Sequence, residues 1–287
     1  MAKDLVTRKE SKRYPGLFVK KYTRRVFFDN LWHQDAELTE SRGHVETAEG
    51  VTVIRPFTKI FNRFENNTDI DHDELCVSVQ KVNGFMAAAT WVDQVGDVVI
   101  STTGSLDSDF VTLAEKYINE DVKNYIKSMM YIDRGTYMFE ICDSADPHIV
   151  PEQAGAYLLG FRHTDDQNPY FSTAAHESHL DSVAKAMGVM RPSWDVVRFS
   201  DVVKDAAACQ HEGFVVYGQE SNTALKIKSP YYLHLKMVAR KKDIMSLNKE
   251  RIDEEYYPLV NHLSSLGESF TMLDEQQRLD YMREYLK

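Results

Sequence analysis

No stretch of this sequence approaches eighteen consecutive apolar residues, so no transmembrane helix is expected. Cysteine is scarce. Cys76, Cys142 and Cys209 stand far apart in no metal-ligand spacing and read as reduced thiols of a cytosolic protein. Positive charge is outnumbered: 34 Lys and Arg against 44 Asp and Glu give a formal net charge of −10, which argues against nonspecific coating of nucleic acid. The opening "MAKDLVTRKESKRYPG" has no apolar run, and no signal peptide is expected there. Internal repeats, low-complexity linkers and a P-loop are also missing, so a nucleoside triphosphate would not be held by a Walker-type cradle. What is present is size. At 287 residues and 43% hydrophobic, the chain can bury the core of one large domain, alone or with a small appendage.

Residues 15–100 alternate short β-branched and aromatic runs with turns, which predicts strands. "MAAATWVDQVGDVVISTTG" reads as strand, turn, strand, with Gly96 in the turn. Over 107–130 the period changes, and Phe110, Leu113, Tyr117, Tyr125 and Met129 predict one or two amphipathic helices. Strands return at "TYMFEIC" and "AYLLGFRH". A helix over 173–187 follows, with Leu180, Val183, Ala184 and Met187 on one face and Gly188 as C-cap. After the strands "GFVVYG" and "ALKIKS" the texture becomes helical, ending in a stripe of Leu279, Met282 and Leu286. The expected fold is α+β: residues 1–235 as one domain, 236–287 as a small helical C-terminal appendage.

Several residues invite chemistry on that scaffold, though each alone has a plainer reading. Lys81 opens a K-V-N-G turn after a strand, where a lone lysine is ordinarily an exposed loop residue; Gly84 permits close ligand approach or a positive φ. Glu140 closes "YMFEIC" and by itself reads as a surface residue at a strand end, since a carboxylate is costly to bury without a partner. Glu212-Gly213 opens "FVVY". Lys226 and Lys228 flank Ile227, so period two puts both ammonium groups on one face, suiting either a solvated edge or a polyanion such as a triphosphate. The histidines of "HESH" (176–179) lack H-E-x-x-H spacing and read as an exposed pair. Basic clusters at Lys20, Lys21, Arg24 and Arg25, and at Lys236, Arg240, Lys241 and Lys242, are ordinarily solvated faces.

Their order adds more. K-x-x-G, then F-E, then E-G-F-V-V, then K-I-K resembles the covalent nucleotidyltransferase superfamily of ligases and capping enzymes. "ESRGHVE" around Arg42-Gly43, "RPFTKIFNRFE" (55–65), "STTGSLDSD" (101–109), "PHIVPEQ" (147–153) and "LKIKSPYYLHL" (225–235) narrow the match. Over residues 15–235 the chain is similar to the ATP-dependent RNA ligase 1 family of T-even bacteriophages. That resemblance implies a nucleotidyltransferase domain of antiparallel sheets with flanking helices. It also implies a lysine that attacks the α-phosphate of ATP, carries AMP to an RNA 5′-phosphate, and lets a 3′-hydroxyl displace it.

Residue by residue, the resemblance makes Lys81 the nucleophile and Arg42 and Lys59 nucleotide contacts, with Gly84 in the same motif. Glu140 matches the carboxylate near ribose and metal, and Glu212 the acid associated with divalent-metal catalysis by Mg2+ or Mn2+. Lys226 and Lys228 match the pair on the α-phosphate, Tyr232 an aromatic just beyond it, and Phe161 is the candidate for stacking on adenine. An amine attacks only when neutral, so the pKa of Lys81 is expected to be lowered by burial and nearby cations. The resemblance further implies RNA repair, with nicked tRNA as a substrate, in a monomeric cytoplasmic protein. Two departures stand out. Thr103 occupies a position that can be basic in the family, leaving contacts to the outgoing pyrophosphate in question, and only about fifty residues follow Leu235, fewer than in the phage relatives. A DNA ligase or mRNA guanylyltransferase shares the lysine chemistry but usually adds an OB-fold, for which this tail has the wrong period. A non-catalytic RNA-binding module would not explain the ordered motifs.

Overall fold

The computed structural model describes residues 5–132, 134–240 and 257–285. The strands are β1 (Val6–Glu10), β2 (Leu17–Tyr22), β3 (Arg42–Thr47), β4 (Thr52–Ile54), β5 (Phe61–Asn62), β6 (Leu75–Gln80), β7 (Phe85–Val92), β8 (Asp97–Thr102), β9 (Gly135–Cys142), β10 (Gly155–His163), β11 (Trp194–Arg198), β12 (Gly213–Gly218) and β13 (Ala224–Lys228). They form three sheets, ordered β1-β2-β3-β4, β10-β9-β7-β8 and β11-β6-β12-β13-β5. All pairings are antiparallel except the short one between β13 and β5. The helices are α1 (Arg24–Phe28), α2 (Glu37–Glu40), α3 (Asp109–Glu115), α4 (Glu120–Met129), α5 (Ala174–Met187), α6 (Phe199–Ala208), α7 (Pro230–Arg240), α8 (Tyr257–Leu266), α9 (Glu268–Thr271) and α10 (Glu275–Tyr285).

The three alanines of β7 show how the layers are divided. Strand side chains alternate between faces, so Ala87 and Ala89 join the core under α3, α4 and α5. Ala88 faces the other way, into a core shared with Val77 and Val79 of β6, Val45 of β3 and Met138 of β9. Small residues let the sheets approach closely there, because a strand buried on both faces has little room for large side chains. As expected, Leu180, Val183, Ala184 and Met187 of α5 are buried, and Gly188 caps the helix in the left-handed region at φ 70°.

Two sequence expectations shift. Over 107–130 two helices do form, but Val111, Ala114, Val122 and Ile126 face inward while Phe110 stays 44% exposed. Tyr117 and Tyr125 of the expected stripe are partly buried and pack against the edge of the same core. Of the two histidines in "HESH" only His179 is exposed; His176 is half-buried, and Glu177 between them is buried and ion-paired to Arg191 while accepting a hydrogen bond from Ser172 Oγ at 2.5 Å. The expected boundary at 235/236 falls inside α7, whose Leu235 and Val238 join one cluster with Leu263, Phe270, Leu279 and Met282. Leu286, Lys241, Lys242 and Arg251 lie outside the described residues, as does the side chain of Arg240.

Removing one partner of a buried ion pair strands the other. Glu177→Ala is expected to cost about 3–5 kcal/mol of folding stability, measured by urea denaturation. A loss below about 1 kcal/mol would show that the pair carries little of the fold's stability.

Candidate active site

The turn after β6 crosses from the third sheet to the second, because β6 belongs to one and β7 to the other. Lys81 sits at this crossing, its backbone N–H donating to Gly213 O at 2.8 Å. The two sheets diverge here around a cavity of about 360 Å³. Its walls carry charged residues, Arg42, Lys81, Glu140 and Lys226, together with apolar ones, Phe57, Phe85, Leu159 and Val215. Such a mixed lining suits a ligand with a flat apolar group and an anionic group.

Glu212, behind the cavity wall, holds Lys81 in place. Only 2% exposed, it accepts hydrogen bonds from Lys81 Nζ at 2.9 Å and Asn83 Nδ2 at 2.7 Å, with Lys228 Nζ at 3.7 Å. Burial pushes the Glu212 carboxyl up, but Lys81 and Lys228 outweigh it and hold it below the ordinary value. Glu140 accepts the Gly84 N–H at 3.0 Å and is pushed up, first by burial and then by the negative charge of Glu212. For Lys81, burial acts downward, but Glu140 and Glu212 dominate and leave the ammonium above its ordinary value. The expected lowering is therefore overturned for the ligand-free protein: carboxylates, not cations, are its nearest neighbours. Gly84 lines the cavity without a positive φ, and a Cβ there would meet Ile141 O at 2.3 Å. The glycine is needed for strand contact.

The cations are less evenly balanced on the other side. Lys226 and Arg42 make no ion pair among the described residues. Burial first, then the charges of Arg42, Lys59, Lys81 and Lys228, bring Lys226 down to about 7. Lys228 is lowered as well, chiefly by burial, and lies 5.3 Å from the Tyr232 ring centroid. Lys59 does not line the cavity; it pairs with Glu65 at 3.0 Å and lies over the Phe61 ring. Tyr232 is buried in the cluster of Ile149, Val150 and the helices α7–α10, with Lys228 over its ring.

Phe161 is corrected. It is buried in the core beside Tyr137, with ring centroids 4.8 Å apart, and does not reach the cavity. A β-bulge between Leu158 and Gly160 adds one residue to β10, and that residue, Leu159, lines the cavity instead. Glu140, expected alone at a surface strand end, is 8% exposed. Sequence reasoning missed Asn83, which holds Glu212 and also accepts the Val150 N–H at 2.9 Å. It missed Glu152 too, which accepts the Asn83 N–H at 3.2 Å. Neither carries a spacing signal that a single sequence reveals.

The family described as RNA ligase matches residues 39–237, a span that contains every charged residue of the cavity. The chain belongs to the RNA ligase family. No curated protein matches it. Among solved structures, it is similar to an archaeal ATP-dependent RNA ligase at 15% identity, covering 98% of this chain and 74% of that one with a TM-score of 0.57. A putative ATP-dependent DNA ligase from Aquifex aeolicus is alike at 12% identity, with the same coverages and a TM-score of 0.56. At these identities the likeness establishes the fold, one of antiparallel sheets with flanking helices, as the RNA ligase motifs led one to expect.

The depressed Lys226 yields a signed prediction. At pH 8 a group with a pKa near 7 is mostly neutral, and a phosphate beside it favours the charged form. Pyrophosphate binding at pH 8 is thus expected to take up protons, and affinity to fall as pH rises above about 7. Titration calorimetry in two buffers of different ionisation heat measures this. Lys226→Arg, which stays charged, is expected to bind without uptake; equal uptake in both proteins would place the proton elsewhere.

Proposed function

We propose that this RNA ligase is ATP-dependent and joins an RNA 5′-phosphate to a 3′-hydroxyl through a lysyl-AMP on Lys81 and an RNA-adenylate. One observation carries the reading: a lysine hydrogen-bonded to a buried carboxylate, facing a cavity whose remaining cations, Arg42 and Lys226, are unneutralised among the described residues. Adenine suits the apolar lining residues and the phosphates suit the cations. In the first step the Lys81 nitrogen bonds to the α-phosphorus and the α–β anhydride breaks, releasing pyrophosphate. The RNA 5′-phosphate then takes the AMP, and the 3′-hydroxyl displaces it. Lys226 and Lys228 stay against the same phosphate as its charge shifts. Lys81 must first lose its proton; Glu212, at 2.9 Å, is the nearest acceptor.

Among the described residues, no group of three His, Cys, Asp or Glu could hold a metal alone. One or two carboxylates completed by substrate phosphates are an ordinary protein share of a Mg2+ site. Glu140 fits that share, since burial beside Glu212 leaves its carboxylate short of positive charge, and Glu212 would be the second ligand. Mg2+ or Mn2+ held there would supply Lewis-acid stabilisation of phosphate charge.

The finer readings stay proposals: a phage-type enzyme, monomeric and cytoplasmic, that repairs nicked tRNA, with residues 236–287 as a small helical domain. Three unpaired cysteines support the compartment, and among the described residues no helix is long and apolar enough to cross a membrane. The test is ATP-dependent sealing of a 5′-phosphorylated nicked stem-loop RNA. Lys228→Ala is expected to slow both adenylylation and sealing of pre-adenylylated RNA by about a hundredfold or more. Labelling by GTP rather than ATP, or sealing without nucleotide, would overturn the proposal.

A further inference from the structure

The strands β2 and β3 carry an irregularity beside the cavity. Lys20 pairs with His44 but Lys21 pairs with Arg42, so Gly43 is the extra residue of a β-bulge. Gly43 has φ 83°, and a Cβ there would lie 3.0 Å from both Thr102 O and the Thr103 Cα, so β3 presses directly on the turn that leaves β8. Thr103 lines the cavity, as does Arg42. Lys21, directly opposite Arg42, lays its side chain over the same turn: its Nζ is 3.4 Å from where a Cβ of Gly104 would stand.

The two adjacent lysines differ in their partners. Lys20 is ion-paired with Glu46 at 3.1 Å and also with Glu37. Lys21 is exposed and makes no ion pair among the described residues. A free cation is thus held at the rim of the cavity by a local backbone device, next to the position where Thr103 offers no charge.

We propose that Lys21 is a specificity-determining residue that binds the outer phosphates of ATP, and the pyrophosphate they become, at the Thr103–Gly104 rim. The inference rests on the ATP reading above. With the α-phosphate at Lys81 Nζ, the triphosphate must extend away from Lys81, and its outer end carries most of its charge. Arg42 and Lys21, side by side across the β2–β3 pairing, give that end two donors. An RNA-adenylate has no outer phosphates, so the contact belongs to the first step and its reversal.

The experiment uses the full chain with Lys21→Ala, a substitution at an exposed site. The ATP concentration for half-maximal AMP labelling is expected to rise about tenfold or more, as loss of one charge-assisted contact implies. The pyrophosphate concentration that strips AMP from labelled protein is expected to rise in parallel. Sealing of pre-adenylylated RNA should keep its wild-type rate, and adding Thr103→Lys to the variant should restore the response to ATP. An unaltered ATP response overturns the role, and an equal loss in sealing overturns it in favour of an RNA contact. Wild-type protein labelled alongside separates the two claims. No label on wild type overturns the ATP reading and this inference together, whereas a labelled wild type with an unaltered variant overturns this inference alone.

Discussion

The ion pair between Lys81 and Glu212 ties the crossing between two sheets to the start of β12. Glu212 is withdrawn from water, so it cannot be left without its cation except at a large desolvation cost, while Lys81 keeps one side open to the cavity. Asn83 completes the arrangement by donating to Glu212 while its own oxygen accepts from the chain near α10. The cavity has its shape because these contacts hold the turn where the sheets part. The same pair sets the charge state of Lys81. Two carboxylates keep the ammonium protonated, so on the proposed function the nucleophile becomes reactive only when a bound cation offsets them.

Across the cavity the imbalance runs the other way. Lys226 is half-buried with Arg42 and Lys59 as its strongest cationic influences, and it gives up much of its charge near neutral pH, first through burial and then through those charges. Such crowding destabilises a fold that has no anion to bind, and sites of this kind commonly trade stability for function. A polyphosphate relieves it. The site therefore has carboxylates beside Lys81, while Arg42 and Lys226 make no ion pair among the described residues.

Much of this was legible in the sequence. The alternation in "LKIK" put Lys226 and Lys228 on one face, and the pairing of Val215 with Lys226 and Gly213 with Lys228 brings that face to Glu212. The order of motifs led to an RNA ligase and to sheets with flanking helices. What stayed hidden depends on contacts distant in sequence or on single-residue irregularities. Asn83 meets partners 129 and 67 residues away, which no local pattern announces. One bulged residue in β10 exchanged Phe161 for Leu159 at the cavity wall, since a slip of one reverses every side chain beyond it. The raised pKa of Lys81 was missed because the carboxylates that cause it lie 59 and 131 positions on along the chain.

The most direct measurement is peptide mapping of the protein after incubation with ATP and Mg2+. The account predicts one AMP, joined through an acid-labile nitrogen–phosphorus bond to Lys81, and none on protein carrying Lys81→Arg, whose guanidinium stays protonated. AMP on any other residue, or an undiminished adduct on that variant, would contradict it.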